Sequence, residues 1–74
     1  MSASPGASDK AAARAEAQRG RILDAAQATF IGNGFHAATM ATIAQRAGMS
    51  AGLIYRYFEN KDAIASTIAS LFSK

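Results

Sequence analysis

The sequence predicts an all-α fold, three short helices followed by the start or whole of a fourth, packed as one small domain. Three observations predict it. Bulky apolar residues recur at helical spacing, nothing alternates with period two, and glycine, asparagine or a hydroxyl residue stands wherever a periodic stretch stops. At 74 residues the chain has room for a single thin core. Half of its residues are hydrophobic, but many of these are alanines, which fill helix positions without supplying core volume. The core candidates are therefore Ile22, Leu23, Phe30, Phe35, Ile43, Met49, Leu53, Ile54, Phe58, Ile64, Ile68, Leu71 and Phe72.

Residues 1–9 are small and polar and hold the only proline, Pro5. They have nothing to bury and are expected to form a disordered amino-terminal arm. Ser8 or Asp9 is placed to cap the first helix. The folded domain is assigned to residues 10–74. From about Lys10 to Gly32 the composition is helical, with Ile22, Leu23, Ala26 and Phe30 as one apolar stripe. Gly20 weakens its first part by about 1 kcal/mol relative to alanine, so the stretch from Lys10 to Arg19 reads as an extension prone to fray.

Gly32, Asn33 and Gly34 end this helix, and Phe35 comes next, in position to turn back onto the core. Thr39 is the expected N-cap of a second helix, Met40 to Ala47, which carries Ile43, Ala44 and Ala47 inward. Gly48 stops it. Ser50 caps a third helix, Ala51 to about Tyr57. Asn60 caps a fourth, whose stripe is Ile64, Ile68, Leu71 and Phe72.

Composition excludes several function classes. With no cysteine, disulfide frameworks, zinc fingers and thiol catalysis fall away together. His36, the one histidine, has no second ligand at metal-binding spacing and is expected in an exposed loop. No serine has a histidine and an acid arranged to activate it, and no glycine loop fits a phosphate-binding motif. No catalytic residue, metal site or cofactor is expected, and the chain is not read as an enzyme. No apolar run is long enough to span a bilayer, and the opening residues lack the pattern of a secretory signal. A cytoplasmic location and no membrane partner are expected. The formal net charge is +3, with Lys10, Arg14, Arg19 and Arg21 early and Arg46, Arg56 and Lys61 central. That balance fits a polyanionic partner.

The informative unit is Met40 to Phe58. Two short helices meet through Ala47-Gly48-Met49-Ser50, with Ala44 small at the crossing and Gly48 supplying the positive backbone angle of a sharp stop. Met49 fills the space beneath the turn, while Ile54 and Phe58 hold the second helix down. This is a three-helix, homeodomain-like helix-turn-helix, whose second helix can lie in the major groove of DNA. Gly52 and Ala51 leave the leading end of that helix bare for close approach. Lys61 stands in the first turn of the fourth helix, where the dipole disfavours a cation. It is expected to hold a phosphate together with the free amides of that turn. Tyr55-Arg56-Tyr57 cannot all face inward, so at least one tyrosine hydroxyl is expected outside, available to a phosphate.

These residues carry a resemblance. Gly34-Phe35, the Thr39 cap, Ala47-Gly48-Met49-Ser50, Gly52, Tyr55, Tyr57-Phe58 and Lys61 together resemble the N-terminal domain of the TetR family of repressors. The likeness runs from about Arg21 to Ile68. It implies a homodimer that binds double-stranded DNA at a palindromic operator and is released when a small-molecule inducer enters a C-terminal domain. The 74 residues are read as lacking that ligand-binding and dimerisation domain, and a monomer that binds DNA weakly is expected. The resemblance implies phosphate contacts from Thr39, Thr42, Ser50, Tyr55, Tyr57 and Lys61. It turns Ala51, Gly52, Leu53 and Arg56 toward the bases.

One departure stands out. Ala41 occupies a position where some members carry a base-reading arginine. Ala51, Gly52 and Leu53 offer only backbone and apolar contact, which leaves Arg56 and Arg46 as the long donors near the groove. Lys10 and Arg14 are placed either as a minor-groove arm or on a solvated helix face. The alternative function is a small helical protein-interaction module docking through the stripe of the fourth helix. A salt titration separates the two, because only DNA binding weakens steeply with ionic strength. A membrane-surface peptide is disfavoured, since the basic residues are spread over separate short helices.

Overall fold

A computed structural model describes residues 7–72, with side chains from Lys10 onward. Every regular element among the described residues is a helix: α1 (Ala7–Asn33), α2 (Met40–Ala47), α3 (Ala51–Tyr57) and α4 (Lys61–Phe72).

Helix α1 is one unbroken element of 27 residues. It corrects one expectation. The helix already includes Ala7, Ser8 and Asp9, so the arm does not extend to residue 9, and neither Ser8 nor Asp9 precedes the first turn. The expectation for residues 1–6 lies outside the described residues. The stretch from Lys10 to Arg19 is an unburied extension, with only Ala15 and Gln18 half-buried, and the helix continues through Gly20. Its alanine-rich surroundings favour helix, and both of its neighbours are anchored. The Arg19 guanidinium lies 5.8 Å over the Phe58 ring, and Arg21 Nη2 donates to the Ala47 carbonyl at 2.9 Å.

The ends of the helices agree closely with the sequence. Gly34, at φ 86°, donates its N–H to the Phe30 carbonyl at 2.9 Å and closes α1. Thr39 caps α2 by accepting from the Thr42 amide at 3.1 Å. Gly48, at φ 75°, ends α2 in the left-handed conformation that a side chain resists. Ser50 Oγ accepts from the Leu53 amide at 3.1 Å, and Asn60 Oδ1 accepts from the Ala63 amide at 2.8 Å.

The centre of the core holds one fully buried isoleucine from each helix: Ile22, Ile43, Ile54 and Ile64. Around them lie Met40, Phe58 and several alanines. The buried face of α1 differs from the expected stripe. Ala25, Ala26 and Thr29 are buried beside Ile22, while Leu23 and Phe30 sit half-buried at its margins. Small residues let α2 approach α1 closely, and the large ones flank the crossing. Thr29 is tolerated inside because its hydroxyl donates to the Ala25 carbonyl at 2.7 Å. On α4, Ile64 is buried and Ile68 half-buried, but Leu71 is 53 % exposed and Phe72 73 %. With Ile31, 84 % exposed, Phe72 borders an apolar groove also lined by Phe30 and Ile68.

Candidate nucleic-acid interface

Helix α3 has only seven residues, so its faces are easily assigned. Ile54 and the adjoining Phe58 are buried and hold it down. Gly52, Tyr55 and Arg56 form the exposed face, and Tyr55 is 54 % exposed. A Cβ built on Gly52 would meet nothing closer than Ser50 Oγ, at 3.9 Å. The leading end of α3 is therefore open at Gly52, as expected from sequence. Ala51, Leu53 and Tyr57 are less free than expected. All three are half-buried, and Ala51 and Tyr57 pack against the core. A helix of two turns has only one open face, and Gly52, Tyr55 and Arg56 occupy it.

The hydroxyls at the edges of the motif act as caps. Thr39 Oγ1 accepts from the Thr42 amide and lies 2.9 Å from Thr42 Oγ1. Ser50 Oγ is held by the Leu53 amide. Thr39 and Ser50 are exposed and Thr42 half-buried. A capping hydroxyl accepts one bond from the helix and keeps its own O–H; Ser50 has that O–H to give away, whereas Thr39 and Thr42 share one hydroxyl hydrogen bond between them.

Lys61 does something the sequence does not reveal. Its Nζ donates to the carbonyls of Phe35 at 2.6 Å, Ala38 at 2.9 Å and His36 at 3.2 Å. It also lies 4.5 Å from the centre of the Phe35 ring, which stacks at a tilt on Phe30 with centroids 5.1 Å apart. An ammonium has three N–H donors, and all three are taken up by the turn between α1 and α2. In this structure, which holds no DNA, the Lys61 side chain ties α4 to that turn. A lysine at a helix N-terminus is disfavoured by its own dipole, and the cluster of carbonyls supplies the compensating partner.

Arg21 is a second residue that sequence reasoning misses. Its bond to the Ala47 carbonyl satisfies an otherwise free acceptor at the end of α2. The pairing crosses 26 residues, so no local pattern signals it. Arg46, in the last turn of α2, is exposed beside Thr42 and Gln45. Lys10 and Arg14 are both exposed on α1. Both lie within the helix.

Comparison with known sequences supplies the deciding observation. Residues 22–68 match the family described as bacterial regulatory proteins, tetR family. The chain belongs to the TetR family. The match covers α2 and α3 entirely, with the parts of α1 and α4 that pack on them. The chain is similar to the HTH-type transcriptional regulator UidR of Escherichia coli strain K12, at 38 % identity over 60 residues, covering 81 % of this chain and 31 % of the relative. It is similar to the HTH-type transcriptional regulator SrpR of Pseudomonas putida, at 40 % over 62 residues, 82 % of this chain and 29 % of the relative. It is also similar to the HTH-type transcriptional activator FasR of Mycolicibacterium smegmatis, at 46 % over 44 residues, 60 % of this chain and 20 % of the relative. The chain thus spans less than a third of the length of these relatives. Membership places the helix-turn-helix described above in a TetR family of DNA-binding transcriptional regulators. Among the described residues no helix is long and apolar enough to cross a membrane.

Proposed function

We propose that this TetR-family chain is the DNA-binding domain of a cytoplasmic transcriptional repressor, with α3 lying in the major groove of a palindromic operator. The observation that carries this reading is the open face of α3. Gly52 is exposed with free space around it, and backbone and groove can approach closely there. Arg56, one turn later on the same face, is the long side chain available to read a base edge, with Ala51 and Leu53 offering apolar contact at the flanks. Thr39, Thr42, Ser50, Tyr55 and Tyr57 ring this face with hydroxyls and contact the flanking phosphates. In the full-length protein two copies meet on the two half-sites, and a small-molecule inducer acts through residues outside this chain. A single copy neutralises few phosphates and binds weakly as a monomer.

Gly52→Leu tests the proposal. The added side chain fits the fold, so thermal unfolding should be unchanged, while specific binding to an operator duplex should vanish because bulk holds α3 out of the groove. Retained specific binding would exclude this docking orientation.

A second reading draws on the exposed Leu71 and Phe72, which make α4 a docking face for another protein segment. It is compatible with the first. Binding through that face is insensitive to ionic strength, whereas duplex binding weakens steeply as salt rises.

A further inference from the structure

We infer that the amino-terminal half of α1 is a rigid basic rail that grips the phosphate backbone beside the major-groove half-site. The inference rests on the docking of α3 proposed above and extends it to a surface outside the helix-turn-helix. At roughly 100° per residue, Lys10, Arg14 and Arg21 fall within about 40° of one another on α1, while Glu16 and Arg19 point more than about 100° away. All three are exposed, and neither Lys10 nor Arg14 is paired among the described residues. The row is about 16 Å long at about 1.5 Å per residue, the length of several nucleotides of one strand at about 3.4 Å each.

Its inner end is fixed by the fold. Arg21, the inner end of the row, is bonded to Ala47 at the close of α2, immediately before the turn that leads into α3. Lys10 and Arg14 share the face of α1 that carries Arg21, so the row runs outward from that turn. Across a groove of about 420 Å³ Arg46 adds a further cation, and Asp24, the acid on this flank, lies at the inner end, away from Lys10. The row thus carries the exposed charges of Lys10 and Arg14 outward from the turn that precedes the proposed recognition helix, and a duplex strand bordering the major groove is the polyanion it would meet.

Helicity decides how the contact is made. An α-helix with side chains is about 10–12 Å across, and the minor groove of B-DNA is about 6 Å wide. The helical Lys10 and Arg14 are therefore kept out of the groove floor and meet the backbone from outside. Such contacts add affinity and register without reading sequence.

The test uses the 74-residue chain and fluorescence anisotropy on labelled duplexes, A·T-rich and G·C-rich, over a series of salt concentrations. Replacing Lys10→Gln and Arg14→Gln together should reduce the salt slope by about two, at about 0.9 per phosphate contact, with equal loss on both duplexes. Ala17→Lys, which adds a charge to the row at an exposed position, should raise the slope by about one. Circular dichroism verifies that each variant keeps its helix content. Slopes unchanged in both variants would overturn the rail. A loss confined to A·T-rich duplexes would also overturn it, in favour of a minor-groove contact. If the unmodified chain shows no salt-dependent duplex binding, the proposed function itself fails; a wild-type slope with unresponsive variants removes only the rail.

Discussion

Lys61 Nζ stands 2.6 Å from the carbonyl oxygen of Phe35 and 4.5 Å from the centre of the same residue's ring. One residue thus receives the ammonium on both its backbone acceptor and its π face, and the start of α4 is tied to the turn that separates α1 from α2. Lys61→Met keeps the length of the side chain and removes the charge. It should lower stability by about 1–3 kcal/mol, the range for hydrogen bonds to a charged group, and leave the salt slope of duplex binding unchanged. Thermal unfolding and a salt titration check both halves. A slope reduced by about one at unaltered stability would return Lys61 to the phosphate contacts.

Gly48→Ala should destabilise the domain by about 1–2 kcal/mol, the cost of a side chain in the left-handed conformation. The glycine adopts φ 75°, and a Cβ there would come within 3.3 Å of Arg21 Nη2, so the bond that closes α2 would shift as well. Urea denaturation of the two proteins measures the difference, and equal midpoints would contradict it.

Gly20→Ala should do the reverse. The residue sits inside α1, and a Cβ on it meets nothing within 4 Å, so the helix gains about 0.5–1 kcal/mol from the lower entropy of the unfolded chain. A higher melting temperature is the expected result; a lower one would mean that α1 needs its glycine.

Arg56→Ala removes an exposed side chain from the open face of α3, so folding should be unaffected. On an operator, the variant should lose about 1–3 kcal/mol of discrimination at one base position while its affinity for unrelated duplexes falls far less. Competition binding with single-base operator variants reads this directly. Discrimination intact at every position would take Arg56 out of base reading.

Much of the fold is legible in the sequence where the physics is local. The caps Thr39, Ser50 and Asn60 each act on an amide three residues ahead, so their residue types alone mark the starts of α2, α3 and α4. Gly48 is legible for the same reason. The partners of Lys61 and Arg21 lie 23 to 26 residues away, and only the packed structure brings them together. From sequence, Lys61 is a cation misplaced on a helix dipole, which suggests an external phosphate; the structure supplies internal carbonyls instead. The buried face of α1 is hidden from any reading that equates bulk with burial. At a close helix crossing Ala25, Ala26 and Thr29 fit, while Leu23 and Phe30 do not. At the interface, the openness of Gly52 is readable from its residue type. The turning of Ala51 and Tyr57 toward the core is not, because on so short a helix the exposed arc depends on how Ile54 and Phe58 seat.

The four central isoleucines, one from each helix, make the domain's cooperativity a property of its smallest parts. Neither α2 nor α3 reaches the length at which an isolated helix holds its shape in water, so each persists only while its isoleucine is enclosed by the other three. Withdrawing any one of them opens a void that the remaining helices share, and such voids are costly in a close-packed interior. The docking face accordingly has no separate melting step of its own: it survives or dissolves together with the whole bundle.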